Sequence, residues 1–281
     1  MLTDTKIMND SLGDRIKKYE DSFRSYLPPR TNTIIRCDGR AFHSYTKDCK
    51  KPFDDDLMQD MNSTAAALCE EIQGAKFAYV QSDEISIFVT DYDGENTTPW
   101  FGGNIQKMCS ISASVATAYF NHSRFTRNIN NLPKEDTEEF KGLNCIDGAC
   151  IALTGSLAFF DSRCFIIPSL SEVANYFLWR CNDASRNSVQ MVARSLYSHN
   201  ECENKNSSQL QEMIFQKEIN WNNYPAKYKR GRLIVKVKRP DSKIIGDRLI
   251  NFERNAWESA ELPDYNFDYW FKVVNDSLVN K

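Results

Sequence analysis

Two acidic sites interrupt apolar, β-prone runs in this 281-residue chain. Asp38-Gly39 ends the run TIIRC, and Asp83-Glu84 lies inside YVQSDEISIF. If the two runs form neighbouring strands, Asp38 and Asp83 lie side by side, and a divalent cation removes the repulsion between their charges. Gly39 has no Cβ, so its backbone carbonyl is open to the same cation. This layout of two carboxylates predicts a two-metal site for nucleotidyl transfer.

The same residues are also typical of ordinary turns. Asp-Gly is a common turn dipeptide, so CDGR at 37–40 fits a turn and SDE at 82–84 fits an exposed hairpin tip. Pattern alone favours these turns over a metal site. Successive strand side chains point to opposite faces, so Asp83 and Glu84 face one site together only if the chain turns there.

A second polar set lies on a helix predicted over residues 169–198, with Ser169 or Ser171 as its cap. Its apolar side consists of residues at helical spacing: Val173, Phe177, Cys181, Ala184 and Val192. Its polar stripe consists of Arg180, Asp183, Asn187, Gln190 and Arg194. The stripe is either a solvated face, which pattern alone favours, or a row of donors for phosphate or RNA.

Seven lysines and arginines fall within residues 225–239. On a strand, Arg232, Ile234, Lys236 and Lys238 share one mostly basic face. That face predicts either a surface that follows a phosphate backbone or an edge strand protected by lysines.

The loop 47–55 contains Lys51, which is either a point charge for a triphosphate or an ordinary loop lysine. No Walker A or Gly-x-Gly-x-x-Gly loop occurs, and the three histidines are far apart.

Composition excludes several protein classes. The net charge of −3 means that any nucleic-acid contact depends on a local basic patch. Nine scattered cysteines without a Cys-x-x-Cys pair predict reduced thiols in a cytoplasmic protein. The N-terminus lacks the apolar core of a signal peptide, and no apolar run approaches the ~18 residues of a membrane span, so no membrane partner is expected.

Hydrophobic periodicity predicts the order of elements. Helices are expected over 11–23, 54–73, 104–121 and 169–198, and strands over 31–40, 76–93 (two strands around 82–84), 148–168 and 232–239. Residues 126–148 are polar and predict a loop or insertion. We expect Ile16, Tyr19 and Phe23 to bury one face of the first helix. The order suits an α+β fold with a mainly antiparallel sheet covered by helices on one face. We divide the chain into 1–150 and 151–281, which together form one compact unit.

Six segments occur in the order seen in a known family: RCDGRAFHSYT with KPFD, YVQSDEISIF, WFGGNIQKMCSISASVATAYFN, FDSRCFIIP, WRCNDASRNSVQ and INWNNYPAKYKRG. Over about residues 12–235 the sequence resembles the tRNA-His guanylyltransferase superfamily of 3′-to-5′ nucleotide-adding enzymes. The resemblance implies a polymerase-like palm with a C-terminal helical and β extension. It also implies two Mg²⁺ ions, ATP and GTP or another NTP as substrates, and a homotetramer.

The resemblance also implies the site residues. Metal ligands would be Asp38, the Gly39 carbonyl and Asp83, and the catalytic set would be Asp38, Asp83 and Glu84. For Glu84 the alternatives are a second ligand through a turn, a water-mediated partner, and a support for neighbouring cations. The nucleotide-binding set is Arg36, Arg40, Ala41, Phe42, His43, Lys51, Asp54, Ser82, Lys107 and Asn187. We assign RNA binding to Arg180, Arg186, Lys229, Arg230 and Arg232.

Two departures from the family pattern indicate a particular branch. The HINN signature of the guanylyltransferases proper stands here as SRNS (185–188), and an arginine of the eukaryotic enzymes stands as Asn104. Both are similar to the bacterial "like" branch, which repairs truncated or unprocessed tRNA 5′ ends by templated addition after ATP adenylylates the 5′-monophosphate. The alternatives are a palm-type nucleotide cyclase or conventional polymerase, and a non-catalytic RNA-binding protein.

Overall fold

The computed structural model describes residues 11–130, 156–245 and 248–279. One six-stranded sheet organises this part of the chain. Its strands are β1 (Asn32–Gly39), β2 (Ala75–Gln81), β3 (Glu84–Val89), β4 (Phe160–Ile167), β5 (Arg232–Ile245) and β6 (Arg248–Glu261). They lie in the order β4-β1-β3-β2-β5-β6, and every neighbouring pair is antiparallel. The predicted α+β class with a mainly antiparallel sheet is confirmed.

Helices cover both faces of this sheet, whereas the sequence pattern predicts one covered face. The helices of the described chain are α1 (Ser11–Asp21), α2 (Phe42–Tyr45), α3 (Asp55–Glu71), α4 (Ile105–Asn130), α5 (Leu170–Leu196), α6 (His199–Cys202), α7 (Ser207–Phe215), α8 (Ala226–Lys229) and α9 (Phe267–Val279). Consecutive strand residues such as Ile34 and Ile35 are both fully buried, one in each of two separate core clusters. Because strand side chains alternate between the two faces of the sheet, apolar residues at both odd and even positions require helices packed on each face.

The first cover consists of α3 and α4. Met61, Ala65 and Leu68 of α3 are buried on one helical face, as their spacing predicts. Helix α4 is longer than predicted: residues 126–130 continue the helix, and Arg127 pairs with Asp60 of α3, which is itself buried. The rest of the predicted loop, 131–148, lies outside the described residues.

The second cover consists of α5 and α9. Ser169 caps α5, because its hydroxyl accepts a hydrogen bond from the Glu172 N–H at 3.2 Å. Trp270 of α9 is fully buried and stacks on Phe177 of α5, with ring centroids 5.3 Å apart. The sequence pattern predicts α5 and its buried side correctly and misses α9.

Two peripheral elements differ from prediction. Helix α1 buries none of its residues, and Ile16, Tyr19 and Phe23 are exposed, so its expected buried face is wrong. Strand β5 extends past the predicted 232–239 and forms a long hairpin with β6, although only its first residues pair with β2.

The division at residue 150 stays a prediction, but strands from both sides of it share the sheet. Within the described residues, no helix is long and apolar enough to cross a membrane.

Candidate active site

A two-residue turn places Asp83 at the end of the sheet. Strand β2 ends at Gln81, β3 begins at Glu84, and Ser82 has a φ of 45°. The Gly39 N–H donates a hydrogen bond to the Asp83 carbonyl at 3.0 Å, which holds the turn against the end of β1. Asp38 and Asp83 therefore lie on neighbouring strand ends, as the acidic pattern requires.

The face of the sheet beside this turn carries a row of acidic residues. In the strand register, Asp161 of β4, Asp38 of β1, Glu84 of β3 and Gln81 of β2 are successive cross-strand partners. Partners in antiparallel strands point to the same face. Three carboxylates therefore share the face that α5 covers, and Asp83 lies just beyond them on the turn.

A cleft of about 400 Å³ lies beside Asp38, Asp83 and Glu84 and is bounded on its other side by α5. Its walls are formed by Asp38, Gln81, Ser82, Asp83, Glu84, Arg180, Asn187, Gln190, Met191 and Arg194. Burial raises the pKa of the Asp83 carboxyl, and the negative charges of Asp38 and Glu84 act in the same direction. The polar stripe of α5 thus faces the acidic site, whereas pattern alone favours a solvated face.

Glu84 is held in an ion pair. The residue is 7% exposed, and its carboxylate accepts hydrogen bonds from Arg180 Nε at 2.8 Å and Ser86 Oγ at 3.1 Å. The Arg180 guanidinium bonds both oxygens of the carboxylate, and Tyr176 bonds the Ser86 hydroxyl at 2.8 Å. Both Glu84 oxygens are therefore already used within the protein.

Gly39 allows the chain to turn sharply after Asp38. A Cβ at this position would lie 2.2 Å from the ring of Phe42, which packs against Tyr45, Phe120 and Phe160. The backbone then passes through Ala41 at a φ of 54° into the short helix α2. The DGRAF segment is thus a tight loop around a buried phenylalanine, beside the acidic row.

Comparison with known proteins gives this geometry its context. The family model described as Thg1, tRNAHis guanylyltransferase, matches residues 13–168, more than half of the chain. The chain belongs to the tRNAHis guanylyltransferase family. The family that the sequence motifs indicate is therefore confirmed.

Individual relatives match over most of their length. A bacterial tRNA(His) guanylyltransferase-like protein in complex with ATP is 39% identical, with a TM-score of 0.71, and the match covers 89% of this chain and 91% of that one. A structure of such a bacterial protein with GTP is 37% identical, with a TM-score of 0.69 and coverages of 94% and 99%. The curated tRNA(His) guanylyltransferase of Candida glabrata is 29% identical over 78% of this chain and 89% of its own length. These identities agree with the predicted bacterial-type branch.

The residues predicted to bind nucleotide fall into separate groups within this family fold. Ser82 and Asn187 line the cleft. Asp54 caps α3 by accepting hydrogen bonds from the Leu57 and Lys50 N–H groups, both at 2.9 Å. Although burial opposes the shift, these bonds lower the pKa of the Asp54 carboxyl. Lys51 donates to the Thr46 carbonyl at 2.9 Å.

The remaining nucleotide-binding predictions lie outside the cleft walls. Arg40 is exposed on the DGRAF loop and His43 is exposed in α2, whereas the Phe42 ring is buried. Arg36 lies two residues before Asp38 on β1 and on the same face of the sheet. Its Nε is buried without a hydrogen-bond partner. Lys107 is exposed in the first turn of α4, which packs on the opposite face of the sheet.

The predicted RNA-binding residues are divided between surface and interior. Arg186 pairs with Asp183 at 3.0 Å and Arg230 pairs with Asp264 at 2.5 Å, and neither arginine is buried. A surface role does not fit the other three. Arg180 is bound to Glu84, Lys229 is buried with its ammonium on the Asn222 carbonyl at 2.6 Å, and Arg232 is 4% exposed.

The departures from the family pattern have local structural roles. Asn104 is buried and caps α4, because its side-chain oxygen accepts a hydrogen bond from the Lys107 N–H at 3.0 Å. Ser185 shares a hydrogen bond of 3.0 Å with the Tyr265 hydroxyl, which ties α5 to the segment before α9.

Asp161 of the acidic row and its cationic neighbour Arg163 have no role in the sequence predictions. Asp161 lies directly across from Asp38, and Arg163 lies 2.9 Å from Asp161 and 3.8 Å from Asp38. The motif FDSRCFIIP contains both, but only the strand register places them beside the site.

Proposed function

We propose that this protein adds nucleotides in the 3′-to-5′ direction to the 5′ end of tRNA, as the family assignment and the cleft together favour. The observation that carries the proposal is the pair of carboxylates, Asp38 and Asp83, at adjoining strand ends beside the polar face of α5. Family membership alone would not identify the active-site residues, because function depends on the particular residues of the site and not on the fold.

The acidic donors fit Mg²⁺. Asp38 and Asp83 offer hard carboxylate oxygens. Burial, and then the charges of Asp38 and Glu84, raise the pKa of the Asp83 carboxyl, and a bound cation would act in the opposite direction. Within the described residues, no group of three or more histidine, cysteine, aspartate or glutamate side chains is arranged to hold a metal. Mg²⁺ usually takes its remaining ligands from water and substrate phosphates. Asp38, Asp83 and the Gly39 carbonyl would hold it. When bound, Mg²⁺ would polarise a phosphoryl oxygen and lower the pKa of an attacking hydroxyl.

The protein's own groups position the substrates. Arg194, Gln190 and Asn187 line the cleft opposite the carboxylates and offer donors to phosphate oxygens. We assign the NTP triphosphate and the RNA 5′ end to this cleft. Fixing both reactants beside the carboxylates makes the transfer effectively unimolecular.

The substrate proposal follows the resemblance of the sequence to the bacterial "like" branch. The 5′-monophosphate of a truncated or unprocessed tRNA attacks the α-phosphorus of ATP, which releases pyrophosphate and leaves an adenylylated 5′ end. The 3′-hydroxyl of the next NTP then attacks the 5′ phosphorus of the tRNA, and AMP leaves. The opposite acceptor strand selects that nucleotide by base pairing. We also propose that the protein is a cytoplasmic homotetramer; sedimentation equilibrium of the purified chain tests the assembly.

Labelled nucleotide incorporation tests the activity. The substrate is a tRNA transcript that lacks its first residue, and wild-type protein is expected to extend its 5′ end only when Mg²⁺ is present. Asp83→Ala is expected to abolish incorporation. Asp93→Asn is the matched control, because Asp93 pairs with Lys76 outside the cleft. Label found at the 3′ end, or full activity of Asp83→Ala, would contradict the proposal.

A further inference from the structure

Strand β4, at the edge of the sheet, carries an ion pair on the face of the acidic row. Asp161 and Arg163 are two residues apart on β4, so their side chains leave the same face of the sheet. The Arg163 Nη2 atom lies 2.9 Å from Asp161 Oδ1 and 3.8 Å from Asp38 Oδ2. Two carboxylates therefore share one guanidinium nitrogen, and that nitrogen is closer to Asp161 than to Asp38.

The strand register explains why a cation is needed here. Asp161 is the direct cross-strand partner of Asp38, and Arg163 is the partner of Arg36. Like charges directly opposite each other destabilise a sheet. Because Arg163 lies within 4.0 Å of both acids, it offsets the repulsion between Asp161 and Asp38.

Arg163 also competes with any divalent cation at Asp38. Within the described residues, it is the one cationic side chain within 4.0 Å of the Asp38 carboxylate. A positive charge beside a metal ligand opposes cation binding at that ligand. The shorter contact with Asp161 keeps the guanidinium from pairing closely with Asp38, so the Asp38 carboxylate stays open to a cation.

Protection of the sheet edge is the simpler explanation of this ion pair. Exposed charges on an edge strand prevent pairing with another sheet, and Asp161 and Arg163 can serve that purpose. Edge protection needs charge alone, and it does not need the arginine to lie beside an acid of the cleft. The two explanations differ in their consequence, because edge protection predicts no effect of either residue on cation affinity.

We propose that Asp161 is a positioning residue of the metal site: it holds Arg163 away from Asp38, so that a divalent cation can bind there. The inference rests on the proposed function, because it takes Asp38 and Asp83 as ligands of that cation. Without Asp161, the guanidinium is left with Asp38 and competes with the cation. Without Arg163, the cation has no competitor at Asp38.

Titration with Mn²⁺, without nucleotide or tRNA, tests this role. Mn²⁺ takes the same oxygen ligands as Mg²⁺, and electron paramagnetic resonance measures the free ion. Loss of binding in Asp83→Asn identifies the site. One unit of charge within a Debye length of a divalent cation changes its Kd by roughly 3- to 10-fold. We expect a rise of this size in Asp161→Asn and a fall of this size in Arg163→Gln.

The double variant Asp161→Asn/Arg163→Gln shows how Asp161 acts. If Asp161 acts through Arg163, Asp161→Asn changes the Kd of Mn²⁺ little once the arginine is absent. If the Asp161 charge attracts the cation directly, Asp161→Asn raises the Kd by the same factor in both backgrounds, and the inference is wrong. Arg163→Lys keeps the positive charge and should stay closer to the wild-type Kd than Arg163→Gln.

Glu253→Gln and Lys238→Met are the matched controls. They remove the same two charges from an exposed ion pair on the β5–β6 hairpin, and an unchanged Kd of Mn²⁺ is expected. The side chains of Asp161 and Arg163 are 59% and 49% exposed, so their variants are expected to fold, and thermal unfolding verifies it.

The remaining outcomes separate the inference from the proposed function. An unchanged Kd of Mn²⁺ in Asp161→Asn and Arg163→Gln would leave the pair as edge protection, and the inference would be wrong while the proposed function stands. If wild type and Asp83→Asn bind Mn²⁺ equally, the cation does not bind at Asp38 and Asp83, and the inference and the proposed site fail together.

Discussion

The Glu84–Arg180 pair makes a quantitative prediction that separates structural from catalytic acids. Both residues are nearly buried, at 7% and 8% exposure. Removing one partner of such a pair costs about 3–5 kcal/mol, because it leaves a buried charge uncompensated. In Glu84→Gln the amide keeps the shape and one carbonyl oxygen, and Arg180 retains Asp183 at 3.3 Å. We therefore expect the lower end, a loss of about 3 kcal/mol of unfolding free energy.

Urea denaturation of four proteins measures this loss: wild type, Glu84→Gln, Arg180→Met and the double variant. A loss of about 3 kcal/mol corresponds to a fall of roughly 6–12 °C in Tm for a domain of this size. The double variant should recover most of the stability, because neutral residues of similar shape often replace a buried pair at little cost. Glu253→Gln is the matched control. Glu253 lies 3.8 Å from Lys238 and both are exposed, so a change below about 0.5 kcal/mol is expected.

Activity completes the test. At a temperature where Glu84→Gln is fully folded, nucleotide incorporation should persist at a reduced rate, because the cleft carboxylates Asp38 and Asp83 are intact. Asp83→Asn should be inactive although it folds. A Glu84→Gln variant with wild-type stability and no activity would refute the reasoning, since it would show that the Glu84 carboxylate acts on the substrates rather than on Arg180.

Three other perturbations test separate parts of the structure. In EDTA, Asp83→Asn should be more stable than wild type near neutral pH. Because the pKa of Asp83 is raised in the folded protein, the unfolding free energy of wild type falls as pH rises past about 4. The difference in unfolding free energy between the two proteins should therefore vanish in acid. Mg²⁺ should raise the Tm of wild type and not of this variant. Gly39→Ala should lower activity sharply, because its Cβ meets Phe42, and Phe42→Leu should relieve part of the loss. Trp270→Ala should cost about 3–5 kcal/mol in urea denaturation, because Trp270 fills the core between α5 and α9.

Local signals explain what the sequence predicts correctly. The two apolar runs around residues 82–84 specify β2, a turn and β3, and Ser169 before an amphipathic run specifies the start of α5. In each case the deciding interaction lies within a few residues along the chain. The acidic pair at the sheet end follows once the two strands are taken as neighbours.

Non-local packing explains what the sequence does not predict. The apolar stripe of α1 predicts a buried face, but α1 buries none of its residues. Periodicity alone does not show whether another element packs against an apolar stripe. Trp270 belongs to the core only because α9 folds back onto Phe177 and Tyr79. Arg232 looks like the start of a basic surface, yet it shares its strand face with buried Ile234 under α3.

Arginine placement explains why Asp38 and Asp83, rather than their neighbours, suit a divalent cation. In the acidic row, Asp161 has Arg163 at 2.9 Å and Glu84 has Arg180 on both oxygens. Asp38 has only the 3.8 Å approach of Arg163, and no cationic side chain of the described chain lies within 4.0 Å of Asp83.

Two of these four carboxylates thus have an arginine within hydrogen-bond distance, and the other two face the cleft without one. A single added arginine should therefore mimic the cation electrostatically. Ser82→Arg, beside Asp83 on the turn, should stabilise the protein in EDTA and weaken its Mg²⁺-dependent Tm shift. Undiminished Mg²⁺ stabilisation in Ser82→Arg would mean that the cation binds away from this pair, and the assignment of Asp38 and Asp83 as its ligands would be wrong.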